Sequence, residues 1–126
     1  MLSRHLKNER VSMEALEMAM KAAKALDEKK GGQIRIFDVR GTSSITDYVV
    51  IATGNSAPHL KALIAEVQRE MKDADVASYR TSGESDSGWV IVDYVDLVVH
   101  VFSPEARDYY AIENLWTTAK EIPLES

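Results

Sequence analysis

The amino-acid sequence predicts a mixed α/β domain, about five strands in one sheet flanked by helices, and three stretches carry that prediction. Residues 46–53 (TDYVVIAT) put Tyr48, Val50 and Ala52 on one side and Val49 and Ile51 on the other, the pattern of a strand covered on both faces. Residues 89–102 (WVIVDYVDLVVHVF) are dominated by β-branched and aromatic side chains, with a polar break at Val95 and Asp96, and read as a hairpin. Leu60, Leu63, Ile64, Val67 and Met71 recur at helical spacing and form one continuous apolar stripe. A two-faced sheet and amphipathic helices require a layered α/β architecture.

The first element is a helix over about 12–30, with Ser12 as N-cap, Leu16, Ala19, Ala23 and Leu26 facing inward, and Gly31 and Gly32 ending the run. Met13, Met18 and Met20 lie at the margins of its stripe, as core filler or as a partner surface. Ile34–Val39 alternates into a first strand, residues 40–44 break it, and Thr46–Thr53 forms the second. Ser56 caps the second helix, with Pro58 in its first turn. The preceding TGNS is a weak anion cradle that matches neither a Walker loop nor a dinucleotide fingerprint. Val76–Arg80 reads as a short strand and Thr81–Gly88 as a polar, acidic loop.

The hairpin register can be argued from burial. A two-residue turn at Val95 and Asp96 sets Tyr94 opposite Leu97, Val92 opposite Val99 and Val90 opposite Val101, which makes one face wholly apolar. The other face pairs Asp93 with Val98, Ile91 with His100 and Trp89 with Phe102. The clean face is core, and the mixed face is where function is expected. Ser103 and Pro104 then start a third helix whose buried side is Tyr109, Ile112, Leu115 and Trp116. Residues 117–126 have no firm period, and they and residues 1–10 are expected to be flexible.

A length of 126 residues predicts a single domain, 1–126, able to bury a core without staples. With 45% hydrophobic and 28% charged residues the composition is that of a globular protein, and no apolar run approaches the roughly 20 residues of a membrane helix. The absence of cysteine excludes disulfides and thiol catalysis and agrees with a reducing compartment, so the cytoplasm is expected. Charge is uneven: residues 1–30 hold seven Lys or Arg against five acids, whereas residues 71–126 hold four against eleven. That half is unsuited to neutralising phosphates, so DNA is not an expected partner, and it suits a basic protein.

Catalytic and metal readings find little support. His5, His59 and His100 fall in a tail, a helix start and a strand, and no GxSxG elbow is present. Asp38, Asp47, Asp93 and Asp96 lie in or beside strands, where paired acids could hold magnesium, but each also has an ordinary turn or strand-end role. No cofactor is expected. Trp89 follows a flexible acidic loop and shares the mixed face with Phe102, Ile91 and His100, the composition of an interface anchor or of a Trp buried beneath a helix. His100 is either a satisfied imidazole or a partner contact.

DVRGTSSITDYVVIATGNSAPHLKAL (38–63) and GWVIVDYVDLVVHVFSPEARDYYAIENLW (88–116) resemble the Iojap family, whose bacterial member is the ribosomal silencing factor. The resemblance implies a nucleotidyltransferase-like fold without the catalytic motif, and a non-enzymatic repressor of translation under nutrient limitation. It also implies binding to the large ribosomal subunit through large-subunit ribosomal protein fourteen, which blocks the small subunit sterically. Carried over position by position, it places partner contacts at Trp89, Asp86 and Ser87, with His100 and Tyr109 beside them. Where the family commonly has Gly before the turn aspartate this chain has Val95, which puts the turn geometry in doubt. A homodimer or other homo-oligomeric adaptor, and a residual nucleotide-using enzyme, are the competing readings.

Overall fold

The computed structural model describes residues 2–78 and 80–124, with side chains from Ala15 onward. The chain runs α1 (Leu2–Glu28), β1 (Gly32–Asp38), β2 (Tyr48–Thr53), α2 (Ala57–Asp73), β3 (Arg80–Glu84), a 3-10 turn (Ser85–Ser87), β4 (Trp89–Asp93), β5 (Leu97–Phe102), α3 (Pro104–Tyr110), a second 3-10 turn (Ile112–Trp116) and β6 (Lys120–Ile122). One sheet of six strands has the order β3-β4-β5-β2-β1-β6, parallel between β2 and β5 and antiparallel elsewhere.

All six residues of β2 are buried, because it lies inside the sheet with both faces covered, as its sequence predicts. On one face α1 and α2 pack against Ile36, Tyr48, Val50, Ala52, Val90, Val92, Tyr94, Leu97, Val99 and Val101. Leu60, Leu63, Ile64, Val67 and Met71 of α2 are all buried there. Each contributes on the order of 2 kcal/mol by leaving water. On the other face a smaller cluster of Phe37, Val39, Val49, Ile51, Phe102 and Ala106 lies beneath Trp89, Ile112, Trp116 and Ala119. The hairpin register is the predicted one, from Trp89 opposite Phe102 to Asp93 opposite Val98.

Several expectations are corrected. The backbone is helical from Leu2, so Ser12 lies within α1 and is no N-cap; residues 2–11 contain no Gly or Pro to stop the helix. The inward stripe is Ala15, Ala19, Ala22, Ala23 and Leu26, while Leu16, about 100° round the helix from Ala15, is 39% exposed. Met18 and Met20 pack against the core, and the Met13 side chain lies outside the described residues. The helix closes at Lys30, φ 67, where Gly31 N–H donates to the Leu26 carbonyl at 2.8 Å and Lys30 N–H to that of Asp27 at 3.0 Å.

The strand expected at Val76–Arg80 begins at Arg80 and runs through half of the expected loop, to Glu84. Its five residues are all exposed, so no apolar alternation marks it, and only backbone pairing with β4 makes it a strand. Part of the expected flexible tail is β6, paired with β1 at Ile36, Phe37 and Asp38. The third helix stops at Tyr110, because Ala111 adopts φ 46 and turns the chain. The helical period breaks there: Tyr109 is 82% and Leu115 72% exposed, and Ala106 and Arg107 are the buried residues of α3.

Candidate functional site

The mixed face of the hairpin carries a contiguous aromatic cluster centred on Trp89. Cross-strand pairing puts Trp89 directly over Phe102, and the rings stack with centroids 4.9 Å apart. α3 brings Tyr110 to 4.6 Å from the indole, and Tyr109 meets Tyr110 edge-on at 5.0 Å. On the other side His100 lies 6.0 Å from both Trp89 and Phe102, Trp116 is 6.4 Å from His100, and Phe37 is 5.9 Å from Trp116. Trp89 is half-buried, so α3 covers part of the ring and leaves part open.

The indole Nε1–H donates to His100 Nδ1 at 3.2 Å. With Nδ1 accepting, the neutral imidazole carries its proton on Nε2. Burial pushes the His100 pKa down to about 4, so the ring is neutral at physiological pH. A neutral His bonded to Trp adds no charge beside the aromatic cluster.

The loop before Trp89 is built rather than slack. Ser87 Oγ donates to the Glu84 carbonyl at 2.7 Å, Gly88 N–H to the Ser85 carbonyl at 3.2 Å, and Ser103 N–H to the Gly88 carbonyl at 2.8 Å. Gly88 has φ 84 and a Cβ there would lie 2.6 Å from Ser103 Oγ, so only glycine passes beneath the start of α3. Asp86 and Ser87 are exposed on the turn that precedes Trp89, where Asp86 and Glu84 line a groove with Lys61 and Gln68 of α2, and Glu105 and Asp108 are exposed on α3.

Trp89 and His100, expected from sequence, are therefore in contact, Asp86 and Ser87 sit on the adjoining turn, and Tyr109 reaches Trp89 only through Tyr110. Helical periodicity puts Tyr109 and Leu115 on the buried side, where the structure exposes both, and it gives no role to Tyr110, the residue that meets Trp89. Arg107 has no sequence signal at all. It is 5% exposed and donates from Nη1 to the Gln33 carbonyl at 2.6 Å and Thr53 Oγ1 at 2.8 Å, and from Nε and Nη2 to Glu113 at 3.1 and 2.9 Å.

The other sequence candidates serve the scaffold. Asp38 forms a two-pronged pair with Arg40, whose guanidinium holds the carboxyl below its ordinary pKa. Asp93 Oδ1 accepts the Val95 N–H at 2.7 Å across the hairpin turn. Burial, and then the neighbouring Asp47 charge, raise the Asp96 carboxyl. At the TGNS turn Asn55 N–H donates to His59 Nδ1 at 2.9 Å, His59 N–H to Ser56 Oγ at 3.2 Å, and His59 Nε2–H to the Lys29 carbonyl at 2.8 Å. Those groups join α2 to the end of α1. Among the described residues no group of three or more His, Asp or Glu could hold a metal ion, and no helix is long and apolar enough to cross a membrane.

Residues 12–126 match the family model described as ribosomal silencing factor during starvation. The chain belongs to the ribosomal silencing factor family. It is 40% identical over 104 residues to the ribosomal silencing factor of Chromobacterium violaceum, covering 82% of this chain and 85% of that protein. It is 34% identical over 109 residues to that of Halalkalibacterium halodurans, covering 86% and 93%. The plant protein named chloroplastic Iojap of Arabidopsis thaliana is 28% identical over 111 residues, and this chain spans 46% of its length. Among solved structures, a crystal structure of a Chromobacterium violaceum protein superposes with a TM-score of 0.78 at 36% identity, over 88% of this chain and 92% of that one. A Bacillus halodurans crystal structure gives 0.73 at 31% identity, over 89% and 99%. The family membership places the chain in translation regulation associated with the ribosome.

Proposed function

We propose that this family member acts without catalysis. It docks on the large ribosomal subunit through the Trp89 face, against a basic surface of large-subunit ribosomal protein fourteen, and its bulk keeps the small subunit from joining. Acting in the cytoplasm, it lowers translation when nutrients are short. The observation that carries the reading is the aromatic cluster itself. A half-buried Trp is locked by Phe102, Tyr110 and His100, Tyr109 extends the cluster into solvent through Tyr110, and exposed acids are carried by the elements on either side, Asp86 on the turn before Trp89 and Asp108 on α3. A rigid ring that loses little entropy on burial suits a desolvated anchor, and the surrounding carboxylates suit a Lys- and Arg-rich partner.

Purified large subunits, incubated with the protein and then challenged with small subunits, should fail to form the joined particle in a sucrose gradient. Trp89→Ala should weaken binding to large subunits at least tenfold, since a central anchor contributes ~2 kcal/mol or more. Normal joining in the presence of saturating folded protein would reject the proposal.

A further inference from the structure

We infer that Arg107 is a positioning residue that sets the docking face, an inference that rests on the proposed role of that face. The exposed side chains Tyr109, Tyr110 and Leu115 are carried by α3 and the following 3-10 turn, a segment anchored to the sheet by Ala106 and by the partly buried Ile112 and Trp116. α3 buries only Ala106 and Arg107, and Ile112–Trp116 has no fully buried residue. The chain also reverses at Ala111, φ 46, so the two pieces do not hold each other as one helix would. Arg107 bridges all the parts. One prong of its guanidinium is fixed to the sheet at Gln33 and Thr53, and the opposite edge holds Glu113 across the Ala111 turn. Glu113 in turn lies 3.7 Å from Arg35, which forms a two-pronged pair with Glu121 of β6.

The sheet is deformed at the point where it meets Arg107. β1 slips register between Gly32 and Arg35, and Gln33 takes φ 45, a left-handed conformation unfavourable to a side-chain-bearing residue. The irregularity presents the Gln33 carbonyl to Nη1 at 2.6 Å. A bulge that re-aims one backbone group, and backbone strain held by its surroundings, are usual at sites that place something. A buried ion pair is weak as a source of stability, because desolvation offsets most of its attraction, whereas its forked geometry selects one arrangement. Arg107 accordingly fixes where Tyr110 lies against Trp89.

The test has one arm that needs no ribosome. In the isolated protein the Trp89 indole N–H resonance, assigned with Trp89→Phe, reports Tyr110 at 4.6 Å and the His100 bond. Arg107→Met and Glu113→Gln should each leave a folded, dispersed spectrum but shift that resonance toward the position seen in Tyr110→Leu. Arg107→Lys, which keeps the charge and loses the fork, should not restore it. Affinity for large subunits should fall at least tenfold in Arg107→Met, with no further loss in the Arg107→Met/Glu113→Gln double variant. An unmoved indole resonance in folded Arg107→Met, or full rescue by lysine, overturns the inference. If Arg107→Met does not fold, Glu113→Gln, which retains the bonds to Gln33 and Thr53, decides by the same resonance. A shifted resonance with unchanged subunit affinity upholds the positioning role and rejects docking through this face.

Discussion

His100 gives a quantitative test of the structure at the centre of the aromatic cluster. Its ring is packed among Trp89, Phe102 and Trp116, and burial lowers its pKa from 6.5 to about 4. The folded protein therefore resists a proton that the unfolded chain accepts. Stability is full above pH 6.5, declines by about 1.4 kcal/mol per pH unit as pH falls toward 4, and levels off below that for this group. The whole window corresponds to roughly 3 kcal/mol, reduced in practice by the part of the ring that still meets solvent. His100→Asn removes the titration while its Oδ1 can accept the Trp89 indole N–H where Nδ1 did. Urea unfolding of both proteins between pH 7.5 and 4.5 should give stability curves that converge as pH falls if Asn packs less well at neutral pH. The carboxylates common to both cancel in the difference. Proton NMR titration of the imidazole Hε1 should place its midpoint well below 5.5. A midpoint near 6.5, or parallel stability curves, would show that the ring is solvated and that the cluster is not packed as described.

Two substitutions at residues with positive φ complement the Trp89→Ala and Arg107→Met tests. Val95→Gly should stabilise the protein by about 1 kcal/mol in urea unfolding, because the half-exposed valine holds φ 73 at the hairpin turn; a lower midpoint would refute strain at that residue. Gly83→Ala should cost more than about 2 kcal/mol, since a Cβ at φ 84 would lie 2.2 Å from the Trp89 carbonyl oxygen. Gly41→Ala, with nothing within 4 Å of its Cβ, is the control, and equal thermal midpoints for the two alanine variants would contradict the close approach of β3 to Trp89.

Local pattern made most of the scaffold legible. The two-sided apolar β2, the Ser56-capped α2 and the hairpin register follow from periodicity and capping, because each depends on neighbours a few residues away. Val95 is instructive in the same way. The register demanded by burying one clean face holds, with Tyr94 N–H donating to the Leu97 carbonyl at 2.7 Å, and the misfit is absorbed in a tight turn closed by Asp96 N–H to the Tyr94 carbonyl at 2.9 Å. Burial of the hairpin face outweighs the strain of one β-branched residue at positive φ.

What escaped the sequence depends on partners distant along the chain. β3 and β6 have no apolar alternation, and they are strands because β4 and β1 offer unpaired backbone groups at the sheet edges. Arg107 resembles any exposed helical arginine until Gln33, 74 residues away, and Thr53, 54 residues away, converge on it. The layered core, the hairpin and the place of Trp89 and His100 on one sheet face were readable from the residues alone, because alternation and helical periodicity are local. That α3 ends at Ala111, that Tyr110 rather than Tyr109 closes on Trp89, and that Gln33, Thr53 and Glu113 converge on the Arg107 guanidinium came from the folded chain. Those outcomes depend on long-range packing and hydrogen bonds.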